Sequence, residues 1–510
     1  MVGKMLDRIV GLFSPKSELN RLAAREMVSK VRHQYAAAKN TSISGNWNPA
    51  DPNINTVIAN STSTLRARAR QLVRDMPAMA TAIQRVEEYT IGNGINLQGR
   101  VKGEDGKLAQ GINQKIEDAW KYWCDEADAS GRLHFSEIQQ LACRQEIEVG
   151  EYVVVKRYTR APGRYLPFNL LMLEPDQLTG YGTTPLPGNE VYQGVEYSPA
   201  TGRAVAYHFE DPDRWKKPLR IPSQQVILGF RSLRPTQLRG VTPLAPTILL
   251  AHQLRDYLEA EISTAQKAAR WLAFVTSQDP EASMAAFGAM ATPMAESSDG
   301  EKYTMEMGHA IVDFLRTGES VQIANHNRPG DAFEPFVKFI LKSFAAAVGV
   351  TYEMVSGDYT DSKYTSARVA RNDMLKGIKI RRGRLLRQLC DPVRREFMMW
   401  AVTTGKLNLP GYMNNQEHYN RCVWMEPGME HLDPLREGRA EADAVSNKLR
   451  SPQEVLQARG RDPEQVLDEW AEWKQMLKDK EIDDPVQNSQ LKTNPAAVAG
   501  QPDRGLRRVK

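Results

Sequence analysis

Phe336-Val-Lys-Phe-Ile-Leu-Lys-Ser-Phe-Ala-Ala-Ala-Val-Gly-Val350 is followed, five residues later, by Ser356-Gly-Asp-Tyr-Thr-Asp-Ser-Lys-Tyr-Thr-Ser366. The first string is apolar at helical spacing and stops at a glycine. The second is polar and rich in turn formers, which predicts an irregular loop. From Lys363 to Trp400 eleven Lys and Arg stand against three acids, Asp373, Asp391 and Glu396, so a strongly basic helix follows the loop. Val369, Leu375, Ile378, Leu385, Leu389, Val393, Phe397 and Trp400 give that helix a packing side. Gly377 and Gly383 weaken it, and Pro392 predicts a kink. The order places a polar loop between two long helices with a basic element behind it.

Upstream lies another rod. Pro243 and Pro246 suit a first helical turn, and Ile248, Leu249, His252, Leu254, Tyr257, Leu258 and Ile262 make one face as far as Ala273. Some 30 residues at about 1.5 Å each span roughly 45 Å. His252 is expected on the packed side, as a core or interface residue. Between the rods, residues 274–330 read as a compact insertion: an Ala/Met stretch, Met284–Met294, a Ser-Ser-Asp-Gly turn and short strands at Ala310–Phe314 and Val321–Ile323. The second rod is 332–348.

Toward the N-terminus, residues 1–45 suggest amphipathic helices with basic faces (Arg21, Arg25, Lys30, Arg32), and 41–63 an extended Asn/Ser/Thr/Pro linker. A helix follows from Leu65 to Glu88, with Arg66, Arg68, Arg70 and Arg74 near its start and a bend at Pro77. Ile91-Gly-Asn-Gly-Ile95 suggests a strand with a glycine turn; it lacks the spacing of a dinucleotide site. A helix near 110–128 precedes strands at Glu151–Lys156, Phe168–Leu173, Ala204–Phe209 and Val226–Phe230. This α+β part ends near Arg239-Gly240. Residues 404–480 read as helical, with starts at Asp433-Pro434 and Ser451-Pro452 and an amphipathic helix at Leu467–Leu477. Residues 481–510 read as a flexible tail with a basic end.

The chain has 510 residues, 41% hydrophobic and 25% charged, enough for a sizeable core; the fold class is α+β, mainly helical. A net charge of +5 is small for a protein that wraps DNA. Cys124, Cys143, Cys390 and Cys422 are too scattered for zinc spacing and read as reduced core thiols, which fits a cytosolic origin. The apolar run Ile9–Phe13 is too short for a signal-peptide core, and no run is long enough to cross a membrane. Phosphate-loop, HExxH and GxSxG motifs are absent. A Mg²⁺ nuclease could be assembled from Glu148, Glu151, Lys156 and Asp176, but such spacings arise often around an ordinary strand. No catalytic residue, cofactor or metal is expected.

Several strings resemble one family, in the same order along about residues 30–475. They are Tyr35-Ala-Ala-Ala38 with Trp47, Leu65-Arg-Ala-Arg-Ala-Arg-Gln-Leu-Val-Arg-Asp-Met-Pro77, Thr90-Ile-Gly-Asn-Gly94 and Leu173-Glu-Pro-Asp-Gln177. They continue with Arg239-Gly-Val-Thr-Pro-Leu-Ala-Pro246, Val350-Thr-Tyr-Glu-Met-Val-Ser-Gly357, Tyr364-Thr-Ser-Ala-Arg368, Val423-Trp424 and Leu432-Asp-Pro434. The chain resembles the portal proteins of tailed bacteriophages, the lambda-like portal family. That resemblance implies a ring oligomer, usually of twelve subunits, at one capsid vertex, through which double-stranded DNA is packaged and ejected without sequence reading.

The resemblance also implies parts: an N-terminal arm (1–45), a wing (46–240), stem helices (241–273 and 331–349) around a clip (274–330), a tunnel loop (350–365), a long wing helix (366–403), a crown (404–480) and a basic tail (481–510). The channel residues it implies are Asp358, Tyr359, Thr360, Asp361, Ser362, Lys363 and Tyr364. Arg368, Arg371, Lys376, Lys379, Arg381, Arg382, Arg384 and Arg387 form the basic helix. Arg381, Arg382 and Arg384 could equally pair with Glu259 or Glu261 of a neighbouring subunit. Implied partners are the terminase large subunit, a head–tail connector or adaptor, and the major capsid and scaffolding proteins, with no membrane. The implied location is the virion, and the host cytoplasm during assembly. The alternatives are the packaging nuclease and a head–tail adaptor or other capsid protein.

Overall fold

The structure is a computed structural model that describes residues 50–159, 162–210, 217–276, 292–293, 303–307, 310–315, 330, 332–360, 362–428, 433–480 and 482. The chain divides into a short unit, residues 1–57, and a large one, residues 58–510. In the short unit Asn53 opens a helix: its Oδ1 accepts from the Asn55 amide at 2.9 Å and its carbonyl from that of Val57 at 3.2 Å. The helix runs Ile54–Asp75. Within the large unit its inward face is Ile58, Thr62, Arg66, Ala69, Leu72 and Val73, at three- and four-residue spacing. The extended linker expected over 41–63 is therefore corrected for 54–63, where burial of one face overrides the turn-rich composition. Residues 41–49 lie outside the described residues.

Pro77 does not bend a continuous helix. The first helix ends at Asp75, and Pro77 opens a second, Pro77–Thr90, where its missing N–H costs nothing. The stretch expected as a strand, Ile91–Ile95, is a tight turn with Gly92 and Gly94 at φ +54° and +116°. A Cβ at Gly94 would lie 2.5 Å from that of Ser136, so only glycine fits. Strand β1 (Asn96–Gly99) and helices Gln110–Asp125 and Phe135–Glu148 follow.

Strands β2 (Glu151–Tyr158), β3 (Phe168–Leu173), β4 (Glu190–Tyr192), β5 (Val195–Tyr197), β6 (Ala204–Phe209), β7 (Leu219–Pro222) and β8 (Val226–Phe230) build two antiparallel sheets, ordered β3-β2-β8 and β4-β5-β6-β7. β2 is central: Val153 pairs with Leu173 on one side and Leu228 on the other. Tyr152 and Val154 belong to the main core, and Val153 and Val155 to a second, smaller core with Leu178, Val195, Tyr207, Phe209, Ile221 and Val226. Burial on both faces explains why β2 reads as an unbroken apolar run.

The rod upstream of the insertion is Ile248–Arg270, 23 residues, and hands over to β9 (Trp271–Thr276). It is thus about 35 Å long at 1.5 Å per residue, shorter than expected. β9 pairs in parallel with β12 (Ala310–Leu315), in a sheet ordered β10-β11-β12-β9 that also holds β10 (Thr292–Pro293) and β11 (Tyr303–Met307). The strand expected at 321–323 lies outside the described residues. The second rod, Phe333–Val348, packs beside the first, with Tyr257 against Phe333 and Phe336 at ring separations of 5.8 and 5.5 Å. His252 is corrected: half its side chain is exposed, with Asp256 3.5 Å away, and Leu249 and Ile262 are exposed too.

The basic segment comprises Tyr364–Leu385, one wide π-helical turn at Leu386–Cys390, and Asp391–Thr403. Pro392 sits in the first turn of the last piece, and the wide turn ahead of it absorbs the break in hydrogen bonding. β13 (Cys422–Met425) pairs antiparallel with β1, Asn96 opposite Met425. Helices Pro434–Ser446, Pro452–Ala458 and Pro463–Asp479 close the described chain, opened by Asp433, Ser451 and Asp462 as capping residues. The main core centres on Trp120, Trp123, Phe135, Phe168 and Phe397. Trp123 stacks on Phe168 at 5.4 Å and donates its indole N–H to the Phe168 carbonyl at 2.9 Å. Among the described residues no helix is long and apolar enough to cross a membrane, and all four cysteines are free, three of them buried.

Candidate functional site

Two glycines shape the loop. The rod Phe333–Val348 ends at Gly349, φ +83°, where the amides of Gly349 and Val350 both donate to the Ala345 carbonyl at 2.9 and 3.0 Å. A short helix, Tyr352–Ser356, ends at Gly357, φ +71°. The stretch expected as loop throughout is therefore helical at Tyr352–Ser356 and again from Tyr364. Val350 and Val355 are buried and anchor it, which leaves the short link 357–363 as its outward part.

That link is a built turn. The Asp358 carboxylate accepts from the Thr360 amide at 3.1 Å and its hydroxyl at 2.5 Å, and Lys338 stands 3.8 Å away. Those hydrogen bonds from Thr360, helped by Lys338, hold the Asp358 carboxyl below its ordinary range. Tyr359 and Tyr364 are exposed, as are Thr360 and Lys363, while Ser362 is half-buried. Asp361 lies outside the described residues. Beside the turn is an open cleft of about 590 Å³ lined by Arg85, Glu88, Glu353, Tyr359, Ser362 and Arg371.

The basic helix divides by direction. Arg368, Lys376, Lys379 and Arg387 are exposed, with Lys376 2.9 Å from Asp373, and Arg371 is half-buried. Arg381, Arg382 and Arg384 turn inward. Arg382 is 1% exposed; it donates to the carbonyls of Thr90 at 2.8 Å and Tyr89 at 2.7 Å, and pairs with Glu426. Arg381 reaches the Val348 carbonyl at 3.5 Å, and Arg384 pairs with Glu146. Tyr89, Thr90 and Val348 end two helices, so Arg381 and Arg382 place cations where helix carbonyls and dipoles are unsatisfied. Within one chain their partners are thus helix-end carbonyls, Glu146 and Glu426. Ile378, Arg382 and Leu385 share the packed side of the helix, so the spacing held a signal for Arg382. Nothing in the sequence announced the carbonyl partners.

The carboxylates from which a nuclease could be built are already neutralised. Glu151 is fully buried between Arg66 at 2.5 Å and Arg239 at 2.6 Å, and accepts from the Gly240 amide at 2.6 Å. Burial alone would raise its pKa; the two arginines outweigh that and hold it below the ordinary value. Asp176 pairs with Arg70 at 2.5 Å and Arg66 at 3.4 Å, Glu148 with Arg144 at 3.6 Å, and Lys156 with Glu396 at 3.0 Å. These residues serve three separate ion-pair groups. Among the described residues no three His, Cys, Asp or Glu side chains are grouped to hold a metal.

The chain is thus a mainly helical α+β protein that displays a turn between a rod and a basic helix, with Glu146, Glu151 and Arg382 paired internally. The sequence pattern of the family described as "Phage portal protein, lambda family" matches residues 40–382, and the chain belongs to that family. It is a capsid portal protein, a structural component of the virion. The probable portal protein of Halomonas phage phiHAP-1 is 24% identical over 457 residues, 86% of this chain and 85% of that protein. Portal protein B of Escherichia phage lambda is 20% identical, over 82% of this chain and 85% of its own length. The portal protein of Escherichia phage N15 is 21% identical, over 82% and 86%. Among solved structures, a chain in the neck of an empty gene transfer agent particle, computed with C6 symmetry, superposes with a TM-score of 0.42 at 14% identity, covering 83% of this chain and 98% of that one.

Proposed function

We propose that copies of this chain close into a ring, of twelve subunits, whose central channel carries double-stranded DNA into and out of the capsid. The observation that carries this reading is the family match over residues 40–382, which spans both rods, the insertion, the displayed turn and about the first half of the basic helix. In this reading 46–240 is the wing, 241–273 and 331–349 the stem, 274–330 the clip, 350–365 the tunnel loop, 366–403 the long wing helix and 404–480 the crown. Residues 1–45 and 481–510 are the arm and the tail. The chain performs no catalysis of its own. Terminase docks at the clip and supplies the motor, a connector or adaptor docks outside, and capsid and scaffolding proteins surround the ring. Assembly begins in the host cytoplasm.

The turn supports a sliding contact. Tyr359, Thr360, Lys363 and Tyr364 offer hydroxyls, ring faces and one cation, with Asp358 already satisfied by its neighbours. Weak phosphate contacts suit a duplex that must move, since strong ones would stall it. Arg368, Lys376, Lys379 and Arg387 remain the outward cations of the helix behind. Electron microscopy of the purified protein tests the ring: closed particles with one rotational symmetry are expected, and monomers at every concentration would overturn it. Deleting Asp358–Lys363 should leave rings intact and impair packaging or retention of DNA; normal packaging would remove the turn from the channel.

A further inference from the structure

The last described helix, Pro463–Asp479, is joined to the rest of the chain by few groups. Pro463 and Leu477 are its buried residues, and every residue from Leu467 to Met476 is exposed. The joint lies at its first turn. Asp462 caps the helix, accepting from the Glu464 amide at 2.9 Å, and the Gln98 side chain of β1 donates to the same carboxylate at 2.5 Å. Gln98 is buried, and its amide oxygen accepts from Arg100 at 2.9 Å and from Gln457 at 3.4 Å. Just upstream Gly460 has φ +70°, and a Cβ there would lie 2.7 Å from the Gly428 nitrogen, so the chain turns where two backbones touch. A segment with so few buried contacts opens locally at small cost.

The next residue of the same strand holds a second carboxylate. The Gly99 amide donates at 2.7 Å to Glu117, on helix Gln110–Asp125. Consecutive residues of β1 thus carry two acids, one from that helix and one from the cap of the last helix. Both line an open cleft of about 930 Å³. There Glu117 faces Asp118 and Lys121 of its own helix, and Arg461, Asp462, Glu464 and Asp468 across the joint. Asp125 and His134, 3.7 Å from each other, line the same cleft. Arg100 is engaged by Gln98, Arg461 is paired with Glu469, and Lys121 is exposed, so the balance around Glu117 is negative. The positive end of the last helix would favour a further anion, but Asp462 and Glu464 already meet it. Burial, then Asp462, Glu464 and Asp118, push the Glu117 carboxyl up to about 7.

We propose that Glu117 is a pH-sensitive latch on the last helix: protonated, it lets Asp462 seat on Gln98, and ionised, it repels Asp462 and Glu464 and loosens the helix about Gly460. The sign follows from which state binds the proton better. With the helix docked, Glu117 keeps its proton up to about 7; with the helix swung away, the carboxyl regains water and falls toward its ordinary 4.5. Acid therefore favours docking. Docking weakens as the pH rises from 4.5 to 7 and stays weak above. Two hydrogen-bonded carboxylates on neighbouring residues of one strand, with a glycine pivot beside them, are what make a single proton matter here. The latch lies within one chain, so it does not depend on the ring proposed above.

Hydrogen exchange in the full-length, unassembled chain tests the latch, each rate being divided by that of an unstructured peptide at the same pH. Amides of 465–470 should exchange about fivefold faster at pH 8 than at pH 5, the partial exposure of Glu117 keeping the ratio small. Glu117→Gln keeps an oxygen for the Gly99 amide and removes the charge, and the ratio should fall to about one. Asp462→Asn keeps a capping oxygen for the Glu464 amide, and the ratio should shrink. Equal protection of the parent at the two pH values overturns the proposal. So does a pH dependence that survives in Glu117→Gln or is undiminished in Asp462→Asn. Protection lost at both pH values in Glu117→Gln would show a contact that holds the helix rather than a charge that frees it, and overturns the proposal too.

Discussion

Replacing Arg382 by methionine should destabilise the chain by about 3 kcal/mol while leaving every outward cation in place. Methionine approximates the length of the side chain and can fill its space. It leaves the carbonyls of Tyr89 and Thr90 without the donors that now stand 2.7 and 2.8 Å away. A buried acceptor left unmet costs about 1–3 kcal/mol, and the favourable cation at the helix end adds some tenths more. Glu426 is 44% exposed at its side chain, so it turns to water and adds little. Apolar packing of the methionine returns about 1 kcal/mol, so the net loss stays near 3. Lys379→Met on the same helix alters an exposed site and should stay within about 0.5 kcal/mol. A chain of this size need not unfold in one step, so the readout is hydrogen exchange in the unassembled protein. Amides at 87–91 and 422–426 should exchange faster in Arg382→Met and unchanged in Lys379→Met. Equal protection in both variants, with DNA retention lost only in Arg382→Met, would refute the reasoning and return Arg382 to the DNA-facing set.

Glu117 gives a pH signature. Burial, then the nearby carboxylates of Asp462, Glu464 and Asp118, push its carboxyl up to about 7, although the Gly99 amide donates to it at 2.7 Å. A carboxyl raised above its ordinary 4.5 costs nothing below that pH, and its penalty builds between 4.5 and 7 and persists above. Partial exposure screens the effect to about 1 kcal/mol. Glu117→Gln, whose amide oxygen can still accept from Gly99, should therefore raise the melting temperature at pH 8 and leave it unchanged at pH 4; a gain at both would remove the electrostatic cause. Gly229→Ala should lose at least about 1–3 kcal/mol by overpacking, because its Cβ would fall 2.0 Å from Cζ of the fully buried Tyr152. A urea midpoint unchanged from the parent would show that the ring of Tyr152 can move.

What the sequence displays is alternation and length, and the elements that announce themselves that way are where the spacing puts them. Phe168–Leu173, Ala204–Phe209 and Val226–Phe230 are apolar runs bounded by turn formers. Phe135–Glu148 gives no such signal because its buried face includes Gln139 and Glu146 as well as Ala142 and Cys143. Gln139 is inside because its amide spans the backbone of Ile95, accepting from the N–H at 2.8 Å and donating to the carbonyl at 3.1 Å. The pairing of β1 with β13 joins residues more than three hundred positions apart, and short strands of that kind have no local pattern to find.

The basic helix shows the same limit in a form that bears on function. Sequence counts charges but does not aim them. Of the eight cations named on it, Arg381, Arg382 and Arg384 are spent on helix ends and on Glu146 and Glu426, and Lys376 is partly answered by Asp373. The charge left for phosphate on one subunit is therefore modest, and each contact contributes a small, salt-sensitive amount. A ring multiplies such contacts around a duplex without fixing any one of them, whereas eight outward cations per copy would grip it. In the conduit proposed above, the inward arginines would serve twice. They tie the helix behind the displayed turn to the ends of two other helices, and they remove positive charge from the surface past which DNA would have to slide.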